Sequence, residues 1–387
     1  MKKPARVASG VLSVLFTLII ADAGGTSGPQ SKLEVLEGLY AEAHQAFQEE
    51  NWDLAKLKLN LLLQLRADIP EALNLLGAVC DKAGGPRDAE RYFRKAVNVK
   101  PDYIEARKNL GLHLAKQGKI DDAVVELTAA SKLQPNDLEI DYLLGRVLFK
   151  TNDLRRAVIH LSKSVQDGRF QTGEAFSMLG TAELRSGELS QAQHYLEEAV
   201  RRGVVDAQIQ IDLGEAYEKQ GQIQRATSSY LIATKMNPEM DLGHALLARC
   251  YQRQGQLQPA IEHYNEALKL KPKSQEYILA LASSYFEAQR YEDTVHVLNE
   301  RPDSEKSSAY LNLRGSSYAK LGKTAEAGTD FEQAIMLNPK DTEAYYNLGL
   351  LLLQVRSHEQ AVRAFEQALD LFPQSEKLLT ALGSRIS

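Results

Sequence analysis

The sequence predicts an all-α chain built as a solenoid of about ten helix–turn–helix repeats, and three observations carry that prediction. The tetrapeptide NLGL stands at 109–112 and again at 347–350, 238 residues apart, which is seven times 34. Counted in 34-residue windows with Gly111 at place 8, alanine holds place 20 in nine windows of ten, and Thr294 is the exception. Glycine at place 15 and proline at place 32, in six windows each, punctuate the pattern. A fixed period of this length marks stacked supersecondary units rather than one globular core.

The first element is not part of that array. MKKPAR is a basic start, VASGVLSVLFTLII (7–20) a mostly apolar run of 14 residues, and Ala21 and Ala23 are the small residues a signal peptidase reads. Residues 1–23 are therefore read as a secretory signal peptide cleaved after Ala23. A transmembrane helix needs about 20 apolar residues. An uncleaved anchor is the competing reading, and the short run and the Gly24–Gly25 break speak against it. The expected location is outside the cytoplasm, periplasmic or extracellular, with no membrane span once the signal is gone. GGTSGPQS (24–31) opens a lead-in over 24–35 that reads as flexible.

The windows then run 36–69, 70–103, 104–137, 138–172, 173–206, 207–240, 241–274, 275–307, 308–341 and 342–375. Apolar residues at places 4, 7 and 11 give a first helix one buried stripe, and places 20, 24 and 27 do the same for a second. Gly84, Gly118, Gly187, Gly221, Gly255 and Gly322 at place 15 end the first helix. Pro101, Pro135, Pro238, Pro272, Pro339 and Pro373 end the second. Glycine or alanine at places 8 and 20 leaves room where the two helices approach, and bulk there overpacks the contact. The first window departs most, with Glu42 at place 7 and Ala46 at place 11, as befits a terminal repeat with one open face. The fourth window holds one extra residue near DGRFQTG (167–173), and the eighth is one short near ERPDSEKSS (300–308). There Thr294, Arg301 and Pro302 predict a shortened second helix and a hinge or docking gap. EKLLTALGSRIS (376–387) reads as a closing helix.

This pattern resembles the tetratricopeptide repeat family over 340 residues, and with the leader it reads as an exported bacterial member. The resemblance implies a right-handed superhelix whose first helices line a concave surface, and a non-enzymatic scaffold that binds protein or peptide partners there. An accessory role in exporting a polysaccharide or pilus component, or in an envelope enzyme complex, is the alternative. Folds do not fix function, so the residues must be searched for chemistry.

That search predicts no catalytic, cofactor or metal site. None of the nucleophile-elbow, phosphate-loop, dinucleotide or HExxH stretches occurs. The eight histidines are scattered and no two stand three or four apart, as a helical metal pair would require, and His194 and His263 sit at places expected to face solvent. Cys80 and Cys250, five repeats apart, read as buried free thiols. The net charge is −5, and −7 once Lys2, Lys3, Arg6 and Asp22 leave with the leader, which disfavours nucleic acid as a partner. The sequence leaves the oligomeric state open.

Three features remain as candidate partner sites. Place 13 is basic through Lys82, Lys116, Lys150, Arg185, Lys219 and Arg253, a ladder suited to acidic peptides. Glutamate at place 2 in seven windows offers a plain reading, acid at the first turn and base at the last complementing the helix dipole. The fourth first helix adds Tyr142, Arg146, Phe149 and Lys150, a mixture of aromatic and basic groups common at anchoring sites and also in cores. The family's carboxylate clamp is absent, since Asn109 could be its middle residue but Asn74 and Ala78 stand where its first Lys and Asn belong, and Glu139 and Leu143 where its last Lys and Arg belong.

Overall fold

A computed structural model describes residues 29–300 and 307–383, and every regular element among them is a helix. Residues 1–23, read above as a signal peptide, and Gly24–Gly25, Arg301, Pro302 and residues 384–387 lie outside the described residues. The repeats fall into two compact units, Met1–Val204 and Val205–Ser387. The division lies in RRGVVD (201–206), where Gly203 at φ 83° and Val204 replace the usual proline turn.

The first unit contains α1 (Pro29–Gln48), α2 (Trp52–Leu65), α3 (Pro70–Lys82), α4 (Pro86–Val99), α5 (Ile104–Lys116), α6 (Ile120–Leu133), α7 (Leu138–Lys150), α8 (Leu154–Ser164), α9 (Gly173–Ser186) and α10 (Leu189–Arg201). The second contains α11 (Ala207–Lys219), α12 (Ile223–Met236), α13 (Asp241–Arg253), α14 (Leu257–Leu270), α15 (Gln275–Glu287), α16 (Tyr291–Asn299), α17 (Ser308–Lys320), α18 (Thr324–Leu337), α19 (Thr342–Gln354), α20 (His358–Leu371) and α21 (Glu376–Gly383). Through α20, odd numbers are first helices and even numbers second helices. Within each unit a first helix packs on its own second helix, and that second helix on the next first helix.

The seam inside each repeat follows the small-residue rule. A Cβ placed on Gly111 would lie 2.7 Å from Leu127 Cγ, and one on Gly214 would lie 2.4 Å from Tyr230 Cε1. Places 8 and 24 are thus a cradle and the side chain that fills it. The turn that follows is uniform as well. All six glycines at place 15 have φ between 72° and 86°, and Glu50, Asn152, Gln289 and Arg356 hold the same place at φ 57° to 61°. The left-handed conformation is therefore demanded by the turn, and glycine is only its least strained occupant.

Local departures have local causes. The lead-in is helical from Pro29 onward, because α1 runs back seven residues beyond the first window and buries Leu36. Glu42 is exposed and pairs with Lys58 at 2.5 Å, as suits the open face of a terminal repeat. The extra residue of the fourth window is absorbed by a 3₁₀ turn at Gly168–Phe170 after a short α8. Thr294 is buried and donates its hydroxyl to the Arg290 carbonyl at 3.1 Å, and α16 is only 9 residues long. Leu378 on α21 is buried against Ala361, Phe365 and Ala368 and so closes the second unit.

Place 4 corrects the simple stripe. In three repeats a polar pair joins place 4 to place 23 across the hairpin: Arg107 to Glu126 at 2.6 Å, Asp141 to His160 at 2.6 Å, and His244 to His263 at 3.1 Å. The two helices approach closely enough there that a polar side chain is satisfied by its opposite number rather than by water.

Candidate partner-binding faces of the first helices

In the first unit the predicted cluster forms around α7 and α9. The Tyr142 ring stacks on Phe170 at 5.2 Å, and the Arg146 guanidinium lies 5.4 Å from the Tyr142 centroid. Arg146 also pairs with Glu174 of α9 at 3.1 Å, and the Tyr142 hydroxyl donates to that carboxylate at 3.4 Å. Burial, then the nearby Glu174 charge, push the Tyr142 phenol above its ordinary pKa. Phe149 is half-buried with the Arg185 guanidinium 6.0 Å from its ring, and Lys150 is exposed. These residues are brought together, and Phe170 joins them from the turn that the inserted residue creates.

Two members of the basic ladder, Lys116 and Arg253, pair sideways with the preceding repeat, while Lys219 pairs within its own helix. Lys116 binds Asp81 at 2.9 Å, and the same carboxylate meets His113 Nδ1 at 2.7 Å. Lys219 binds Glu215 at 2.7 Å and Arg253 binds Glu218 at 3.0 Å. The place-2 glutamates also reach sideways: Lys108 bonds Glu139 at 2.5 Å in addition to the Arg146–Glu174 pair. A regularity runs through these contacts. Lys116–Asp81, Arg253–Glu218, Asn109–Asn74 and Asn347–Asn312 each span 35 residues, so place n of one repeat faces a neighbouring place of the next. Asn109 therefore donates to Asn74 at 2.9 Å instead of presenting its amide to a ligand.

In the second unit, α11 and α13 enclose a groove of about 500 Å³. Ile211, Leu242 and Leu246 supply its apolar lining, and Glu215, Glu218, Lys219, Arg249 and Arg253 its charges. Glu218 is the hub. It accepts from Arg249 Nε at 3.1 Å and Nη2 at 2.8 Å, from Arg253 Nη1 at 3.0 Å, and from the Tyr230 hydroxyl at 3.1 Å. Burial presses its pKa upward, but Arg249, Tyr230 and Arg253 outweigh that, so the carboxyl lies below the ordinary value. Its side chain is 9% exposed while Arg249 and Arg253 remain 46% and 50% exposed. The acid thus fixes two guanidinium groups whose other donors face the groove.

Glu218 and Arg249 were not singled out in the sequence, although their 31-residue spacing repeats that of Lys108 and Glu139. His194 is exposed as expected, but His263 is not a solvent-facing residue. It is half-buried, stacked on Tyr251 at 5.7 Å and facing His244, because place 23 looks across the hairpin. Leucine fills four outward positions of α2, Leu54, Leu57, Leu61 and Leu65, at 37% to 63% exposure. Cys80 and Cys250 are free and buried, and burial, then Glu218, raises the Cys250 thiol to about 11. Among the described residues no helix is long and apolar enough to cross a membrane.

The model of the tetratricopeptide repeat family matches residues 81–127, 108–171, 177–238, 211–275 and 312–376, more than half of the chain. A second family model, anaphase-promoting complex, cyclosome, subunit 3, matches 253–334. A TPR repeat-containing protein of Methanocaldococcus jannaschii is 22% identical over 298 residues, covering 71% of this chain and 52% of its own. Tetratricopeptide repeat protein 16 of Mus musculus is 21% identical over 369 residues, 87% of this chain and 48% of its own. The chain thus spans about half the length of these relatives. Among solved structures, a TPR protein called YrrB, described as having an unusual peptide-binding site, is 20% identical over 49% of this chain and 96% of its own, with a TM-score of 0.44. The APC/C hetero-tetramer Cut9–Hcn1 is 11% identical over 91% and 96%, with a TM-score of 0.45. Proteins of this class generally serve as protein-interaction scaffolds. The chain, by its repeated cradle, turn and cap and by the family model that matches them, belongs to the tetratricopeptide repeat family.

Proposed function

We propose that this protein is a non-enzymatic scaffold of the cell envelope that holds protein partners on the first-helix faces of its repeats. The groove between α11 and α13 carries the reading, because it sets two half-exposed guanidinium groups and Lys219 beside an apolar lining. Such a surface suits an extended peptide that offers a carboxylate and an aliphatic side chain. The Tyr142–Arg146–Phe149 face of α7 is a second contact surface, with Lys150 at its edge. Lys116 and Arg185 extend the basic ladder in the first unit. The leader at 1–23 supports the envelope location.

Capture from an envelope fraction tests the binding role. The expected result is a protein set held by the wild type and lost when Arg249 and Arg253 are both changed to alanine. Retention of the same set by that double variant and by Tyr142→Ala/Arg146→Ala would remove the first-helix faces from consideration. Fractionation of cells producing the full chain tests the location separately, and a purely cytoplasmic protein with residues 1–23 intact would overturn it.

A further inference from the structure

The His244–His263 pair stands apart from the other pairs at places 4 and 23. Arg107 with Glu126 and Asp141 with His160 join a base to an acid. In the His244–His263 pair two neutral rings meet instead, joined by a single shared Nδ1 proton and with no opposite charge between them. Their Nδ1 atoms face each other at 3.1 Å, with ring centroids 5.4 Å apart and planes inclined by 28°. His244 Nε2 also lies 3.1 Å from the Pro238 carbonyl oxygen, an acceptor only. The Nε2 proton is therefore fixed on that side, and His244 Nδ1 carries a lone pair turned toward His263.

We infer that His244 and His263 form a binding site for a divalent transition cation of the imidazole-seeking kind, such as Zn²⁺ or Ni²⁺. Three features of the pair support it. The separation suits two nitrogens at a metal–nitrogen length of about 2.0–2.1 Å, with an angle at the metal of about 100°. The backbone carbonyl that orients His244 is the usual outer partner of a metal-bound histidine. Both rings are half-buried, on facing helices α13 and α14, so the donors are held in place yet reachable from solvent. To bind, His263 gives up the Nδ1 proton that it shares with His244 to water and takes one on Nε2, and the cation enters beside the line that joins the two freed nitrogens. Among the described residues no third His, Cys, Asp or Glu completes a cluster, so water fills the remaining positions. Glu262 and Glu266 flank the pair on α14, Glu266 being held by Lys269 at 2.6 Å, and they add a favourable field.

The test is isothermal titration of the full chain, purified without a histidine tag, with ZnCl₂ and separately with NiCl₂. The expected result is saturable binding near one equivalent, weakened at least tenfold by His263→Ala and by His244→Gln. Binding should be unchanged when the exposed His194 and His358 are both replaced by alanine. MgCl₂, an oxygen-seeking cation, should give no binding. Circular dichroism of each variant confirms that the repeat is still folded. No saturable binding by the wild type, or binding that survives His263→Ala, would overturn the assignment.

Discussion

Two ion clusters of the second unit invite comparison, because they use the same chemistry in opposite ways. Arg314 of α17 and Asp330 of α18 lie within one repeat, bonded through two contacts of 2.7 Å and 2.6 Å, at 8% and 3% exposure. Arg249, Arg253 and Glu218 join two successive first helices, with the acid buried and both bases half-exposed. Arg314 occupies place 7, where eight windows carry leucine, so its charge is a substitution within the seam and serves packing. The arginines of α13 are held by one acid between repeats and keep donors for something else. The difference teaches where this fold keeps its variable chemistry: pairs inside a repeat close the structure, and pairs between repeats leave a face unfinished.

The comparison is broken most directly at the buried pair. Asp330→Ala leaves the Arg314 guanidinium inside the seam with Asn299 as its other side-chain partner, bonded at 2.9 Å. An uncompensated buried charge of this kind costs about 3–5 kcal/mol. Chemical denaturation should show that loss in the unfolding of the second unit. Adding Arg314→Leu, which restores the residue of the other repeats, should recover most of it, since apolar replacement of a buried pair is often neutral or stabilising. A double variant no better than Asp330→Ala would mean that the pair contributes by its own contacts.

A smaller effect is expected at the groove. Glu218→Gln keeps the shape but removes the charge from a site where both bases are half in water, so the cost at pH 7 is about 1 kcal/mol. The pH dependence separates charge from packing. The folded pKa of Glu218 lies below its ordinary value, so its contribution is present above the unfolded carboxylate value of about 4.3 and fades as pH falls through the folded value. Wild type and variant should therefore converge in stability at low pH and draw apart as pH rises through the folded value toward about 4.3, with the gap constant at higher pH. A gap that stays constant down to low pH would show that the amide disturbs packing rather than charge.

The seam was legible in the sequence and the faces were legible only in part. Places 8, 20 and 24 recur because every repeat solves the same close approach, and Gly214 under Tyr230 is the solution predicted for Gly111 under Leu127. The ladder at place 13 was visible too, but its partners were not. Asp81 and Glu218 sit one place earlier in the preceding repeat, so they emerge only when windows are compared at 35 residues instead of 34. His263 was misplaced for a related reason: a second-helix residue at place 23 faces its own first helix when place 4 is polar and long enough to meet it. The inserted residue at 167–173 was visible as a count, whereas the stacking of Phe170 on Tyr142 required the turn itself.

The smallest prediction sharpens the comparison by changing backbone alone. The ten residues at place 15 show whether one repeat backbone serves everywhere. Arg356 takes φ 61° in the same turn where Gly322 takes 75°, and it carries a side chain that the left-handed region disfavours. Its carboxyl-terminal neighbours keep the common pattern, with Ser357 N–H donating to the Leu352 carbonyl at 2.8 Å as Lys323 does to Tyr318 at 2.9 Å. Arg356→Gly relieves that strain but also frees the unfolded chain, which offsets part of the gain. The net expectation is a stabilisation of about 0.5–1 kcal/mol, read as a raised denaturation midpoint, with Gln289→Gly behaving alike. Asn152→Gly should gain less, because asparagine already tolerates this conformation. If Arg356→Gly destabilises while Gln289→Gly does not, then the last repeat depends on its arginine side chain, and its turn is not interchangeable with the others.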